Sequence, residues 1–171
     1  MNRDSSKGER PDIKIRLSTF YHILNLAAAG LILAATVWII VIWGDIPETI
    51  PVHFNLQGNP DAWGSKSTLG AMPLVAGLMY LFMSYFGARP RMANYPWEIT
   101  EDNAEDQYRL TRELIIWLKL ETMAIFALII WSMVRAAAGT AETLSSPAMT
   151  VLVAAIVVTI VIFFYRMYRA K

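Results

Sequence analysis

The sequence contains no cysteine. That excludes disulfides, thiolate metal sites and thiol nucleophiles, and it leaves the redox compartment open. Charge is scarce as well: 17% of 171 residues, where a soluble domain carries about 25%. The charges sum to only +1, so no global field points to nucleic acid or to an acidic partner. There are two histidines, His22 and His53. Gly58 and Gly64 are too far apart for a phosphate loop and lack the strand-to-helix context one needs. The sequence also lacks an internal repeat, a Ser–His–Asp arrangement, an HExxH and an intramembrane pair of aspartates. No catalytic residue, no closed metal site and no cofactor is expected.

What is abundant is apolar sequence: 56% of residues, with a mean hydropathy of +0.40. It is gathered into four runs, about 20–43, 68–87, 114–134 and 147–165. Each is near the ~20 helical residues that cross a hydrocarbon core of ~30 Å. The first run follows a basic stretch, as a signal peptide would. It is longer than the ~7–15 apolar residues of a signal, and Trp38 and Trp43 fall where an interfacial aromatic belt would lie. It reads as an anchor. The expected fold is an all-α membrane bundle of about four helices over 20–165, between tails 1–19 and 166–171. Residues 1–16 read as mobile.

Local signals mark the helix ends. Ser146 and Pro147 are a cap and a first-turn proline, and Pro73 lies near the start of the second run. Thr100 reads as the N-cap of the third helix, with Glu101 and Asp102 in its first turn. From there nothing breaks the helix for about 34 residues, or roughly 50 Å. That exceeds the bilayer core, so its first turns are expected to protrude. Tyr108, Leu114, Ile115 and Leu118 are expected to share one face, and Glu105–Arg109 and Arg109–Glu113 to pair at i,i+4. In lipid, close packing falls to small residues, here Ala27, Ala28, Ala29 and Gly30 in the first helix and Gly70, Ala71, Ala76 and Gly77 in the second.

Lysine and arginine set the orientation. Arg3, Lys7, Arg10, Lys14 and Arg16 precede the first span. Arg89, Arg91 and Arg109 lie between spans two and three, and Arg166, Arg169 and Lys171 follow span four. The other two loops hold Lys66 and Arg135. With four spans all three basic segments share one side, so both termini are expected inside and the loops 44–67 and 135–146 outside.

The first outer loop carries the densest pattern. Pro51 pushes Ile50 toward extended geometry. Val52 to Leu56 then alternates, with Val52, Phe54 and Leu56 on one face and His53 and Asn55 on the other. Gly58-Asn59-Pro60-Asp61 is turn chemistry. An ordered cap on the outer mouth is expected, with His53, Asn55 and Asp61 converging. Imidazole and carboxylate are metal-ligand types and an acid–base pair, yet one His and one Asp are too few for a closed zinc site. Hydrogen bonding within the loop, or binding of a peptide or ligand, is the expected use. Trp63 reads as an interfacial anchor and Lys66 as a cation snorkelling at the second helix.

A second motif, Tyr95, Pro96, Trp97, Thr100, Asn103 and Tyr108, reads as an interfacial aromatic clamp and helix cap, or as a cytoplasmic docking surface. Lys119 and Glu121 interrupt an otherwise apolar run. A charge inside a membrane marks a functional site by default, but a helix entering the bilayer near residue 120 would leave both at the interface.

The run IPVHFNLQGNPDAWGSK, residues 50–66, closely resembles the signature of a family known as domain of unknown function 1648. Its motif residues are Pro51, His53, Phe54, Asn55, Gly58, Pro60, Asp61, Trp63, Gly64, Ser65 and Lys66. YPWEITEDNAEDQYRLTRELIIWLKLE, residues 95–121, resembles that family's second block. With the helices between and around them the resemblance covers most of the chain. It implies a bacterial plasma-membrane protein, because this unit occurs in SdpI-type immunity proteins. Those protect cells from a secreted peptide toxin and signal by holding a repressor at the membrane. The fuller immunity proteins carry further helices after the unit.

The expected function is therefore non-enzymatic and of the immunity or sensor type. The partners are the lipid bilayer and a membrane-active peptide or another membrane protein, met through the 50–66 loop. A transport accessory using Lys119, Glu121 and His22, a structural subunit of a membrane complex, and a metal-dependent enzyme built on His53 and Asp61 are the alternatives.

Overall fold

The computed structural model describes residues 10–55, 57–140 and 147–171. Leu56, Ser146, Arg3 and Lys7, and the readings attached to them, lie outside the described residues. The chain order is α1 (Thr19–Ile42), a hairpin of β1 (Thr49–Phe54) and β2 (Pro60–Ser65), α2 (Ser67–Gly87), a single 3-10 turn (Pro90–Met92), α3 (Ala104–Ala137) and α4 (Pro147–Arg169). All four α-helices are long and apolar enough to cross a membrane.

α3 is the hub, packing against α1, α2, α4 and β1. Its burial follows from that position. Met123 packs with Ala28 of α1 and Ala76 of α2, and Leu110 packs with Phe163 and Met167 of α4. Leu114 faces the α4 cluster while Ile115 lies against Gly87 of α2. The two do not share a face, because a helix with neighbours on several sides has no single apolar stripe. Of the small residues expected at contacts, Ala28 and Ala76 are fully buried. A side chain at Gly30, Gly70 or Gly77 would meet nothing within 4 Å, so those glycines are not close-approach points.

The packing partners fix helix direction. Ile39 near the end of α1, Leu69 at the start of α2 and Met133 near the end of α3 share one cluster. Leu110 near the start of α3 packs with Met167 near the end of α4. Helices therefore alternate up and down. The hairpin lies at one end, and the 10–18 segment, the 88–103 segment and the C-terminus lie together at the other. That second end carries the three basic segments.

Four local readings are corrected. α3 begins at Ala104, with Asn103 at the cap position. Thr100 sits a turn earlier, its N–H bonded to Asn103 Oδ1 at 3.0 Å and its carbonyl taking the Ala104 N–H. The acids in the first turn are Glu105 and Asp106, not Glu101 and Asp102. Arg109 pairs with Asp106 and, at 3.7 Å, with Glu105, whereas Glu113 faces Arg166 of α4 at 3.4 Å. Residues 10–16 are docked rather than mobile: Ile13 and Ile15 pack on Ile99 and Tyr108, and Arg10 donates to the carbonyls of Arg91 (2.8 Å) and Ala93 (2.6 Å).

Candidate functional site

The hairpin is built from its apolar underside. Ile50 is fully buried in a cluster with Ile39 and Ile46, Leu69 of α2, and Ile130 and Met133 of α3, with Val52 and Phe54 packed against it. Burying one such side chain contributes roughly 1.5–3 kcal/mol. β1 and β2 pair antiparallel from Thr49↔Ser65 to Phe54↔Pro60. The register shifts twice, between Pro51 and His53 and between His53 and Phe54. Such bulges re-aim side chains. Here they follow each other around His53, whose Nδ1 meets Asp61 Oδ1 at 2.5 Å on the exposed face. The two side chains are 68% and 42% exposed.

Asn55 does not join them. Its Oδ1 accepts the N–H groups of Gln57 and Asn59, both at 3.0 Å, so it shapes the turn instead. The turn itself runs from Asn55 to Asn59 and not over 58–61; Pro60 and Asp61 already belong to β2. Proline is tolerated there because it is the first residue of an edge strand. Gly58 takes φ 80°, a conformation that disfavours any side chain. Gly64 is needed for closeness: a Cβ there would stand 3.0 Å from Val52 Cγ1.

The hairpin's exit is clamped. Ser65 Oγ accepts the N–H (3.3 Å) and hydroxyl (2.9 Å) of Ser67 at the start of α2. Lys66 pairs with Glu48 at 2.9 Å, donates to the Ile46 carbonyl at 3.4 Å and lies 5.2 Å above the Trp43 ring. Lys66 therefore ties the α1–β1 connection to α2. Trp63 is 56% exposed. The hairpin thus presents His53, Asp61 and Trp63 outward on a fixed base. Among the described residues no further histidine or carboxylate joins the His53–Asp61 pair to make a metal-ligating group of three.

The second motif is turned inward. The Tyr95 hydroxyl donates to the Pro90 carbonyl (3.0 Å) and contacts Thr111 Oγ1 (2.9 Å). Burial pushes its phenol above the ordinary value. Its ring lies 6.1 Å from that of Tyr108, and Arg10 stacks over it at 5.2 Å. Trp97 lies edge-on to Tyr168 at 6.5 Å. Asn103 Nδ2 donates to the Glu98 carbonyl, and Pro96 is exposed in the bend between. These residues clamp the 88–103 segment to α3 and α4.

Lys119 is 3% exposed. Its Nζ donates to Asn25 Oδ1 of α1 (2.7 Å) and Ser84 Oγ of α2 (2.8 Å), and lies 4.6 Å above the Tyr80 ring. Glu121, also buried, faces the other way and accepts the Thr159 hydroxyl of α4 at 2.6 Å. Two residues apart on a helix, the two charges point to different neighbours. Both sit in the bundle's contacts and not on its rim.

Sequence reading missed the polar residues that cross-link the helices. Gln107 is fully buried, and its Nε2 donates to the carbonyls of Met167 (2.8 Å) and Ala170 (2.9 Å), closing the end of α4. Arg112 reaches the Ile15 carbonyl at 2.6 Å. The available signal was the polar series Gln107, Thr111, Glu113, Lys119 and Glu121 along one unbroken helix, a pattern that demands partners on several sides.

Four long apolar helices and a hairpin seated on one end define the class, a multi-pass membrane protein. Residues 30–77 match the model of the family described as Domain of unknown function (DUF1648). The match spans the second half of α1, the hairpin and the first half of α2; the 95–121 motif falls outside it. No curated protein and no solved structure matches the chain.

Proposed function

We propose that the protein is a non-enzymatic membrane receptor of the immunity or sensor type, which binds a peptide or protein at the outward face of its hairpin. The observation that carries this reading is the division within the hairpin. Its underside is spent on apolar anchoring, while His53, Asp61 and Trp63 stand exposed on a fixed frame. Exposed aromatic and charged groups on a rigid base suit recognition, because little ordering cost remains at binding. The orientation follows the positive-inside rule: the basic end is cytoplasmic, in a bacterial plasma membrane, and the hairpin is outside.

The test is protection. Cells expressing the chain are challenged with a panel of membrane-active peptides. Survival above the empty-vector control is expected for at least one peptide, with loss of that survival in His53→Ala or Asp61→Ala at unchanged protein level. A wild-type chain that protects against no member of the panel would overturn the immunity reading.

A further inference from the structure

At the end of the bundle opposite the hairpin, a cavity of about 230 Å³ opens between α1, α2 and α3. Its size far exceeds the ~30 Å³ share of one water. His22, Arg112 and Lys119 line it, together with Asn25 and Ser84, and no carboxylate does. Lys119 is buried at its wall and makes no ion pair among the described residues; its partners are a neutral amide, a hydroxyl and the face of the Tyr80 ring. A buried cation so held is costly unless a counter-charge completes it. Glu113, further back on α3, is faced by Arg166 of α4 at 3.4 Å. It is therefore committed to α4.

The donors remain unspent. Arg112 offers five N–H groups, of which the Ile15 carbonyl takes one. Asn25 gives its oxygen to Lys119 and keeps its amide nitrogen. The cavity mouth is framed by Leu17 before α1 and by Gly87 and Ala88 at the end of α2, the ends of two membrane-length helices. We propose that this cavity is an oxyanion site that takes a phosphate group, with Lys119 at its base and Arg112 and His22 at its mouth. A phospholipid headgroup and a free phosphate share that chemistry. This inference does not rest on the hairpin's role.

The experiment uses the purified full chain in phosphate-free maltoside micelles, titrated separately with short-chain phosphatidylglycerol, inorganic phosphate and short-chain diacylglycerol. The readouts are melting temperature and, for lipid, retention in native mass spectrometry. Saturable stabilisation by phosphatidylglycerol alone supports the site and assigns it to a headgroup; stabilisation by inorganic phosphate also supports it and assigns a free anion. Lys119→Met, Arg112→Gln and His22→Ala are each expected to weaken the response, roughly tenfold or more for a lost charge-assisted bond, while Arg91→Gln keeps it. If Lys119→Met does not fold, the two mouth variants decide. No response to either anion, an equal response to diacylglycerol, or mouth variants that respond as wild type does would overturn the proposal.

Discussion

The two ends of this bundle are stabilised by different means. The hairpin end is held chiefly by apolar burial, with Ile50, Leu69, Ile130 and Met133 in one cluster and His53, Asp61 and Trp63 left outside. At the opposite end polar groups are buried and bonded to backbone or to one another: Gln107 to the end of α4, Tyr95 to Pro90 and Thr111, Arg10 and Arg112 to carbonyls. The contrast separates two kinds of polar group: outside the cavity lined by His22, Arg112 and Lys119, those at the basic end join segments, while those of the hairpin face outward. Gln107, Tyr95 and Arg10 are occupied in joining segments, whereas among the described residues His53 and Asp61 hold only each other.

Substitutions should separate the two ends. The largest loss is expected for Ile50→Ala, which empties a fully buried position and should cost about 2–5 kcal/mol. It is checked by thermal unfolding in detergent and by increased protease cleavage within 49–65. Gln107→Leu comes next. It leaves the last carbonyls of α4 without their donor, at roughly 1–3 kcal/mol, and hydrogen exchange should rise over 166–170 while the hairpin stays protected. The smallest effect on stability belongs to His53→Ala, since even a charged pair that is exposed contributes only about 0.2–1 kcal/mol. Its melting temperature should lie close to wild type even where protection is lost. A His53→Ala chain that melts as early as Ile50→Ala would erase the distinction between anchoring and presenting residues.

Much of the fold was legible. The spans expected at 20–43, 68–87 and 147–165 are helices at Thr19–Ile42, Ser67–Gly87 and Pro147–Arg169. A bilayer demands long runs without charge, so composition alone marks them. The single long α3 was equally plain, because nothing between Asn103 and Ala138 interrupts it. The strand alternation of Val52 and Phe54 was readable too, but the double register shift was not: bulges depend on which residues oppose one another across the hairpin. That shift is why Asn55 shapes the turn and His53 meets Asp61. Lys119 illustrates the other limit. Its acceptors are 94 and 35 residues away in sequence, and only packing of three helices brings them to one point.

The absence of cysteine makes the arrangement directly measurable, since one introduced thiol has no competitor. Gln57→Cys, at the exposed hairpin tip, and Glu101→Cys, in the exposed turn before α3, are labelled in intact cells with a membrane-impermeant maleimide. An outward-facing hairpin requires that Gln57→Cys react before lysis and Glu101→Cys only after it. Labelling in the reverse order would place the hairpin inside and contradict its role as an outer binding head.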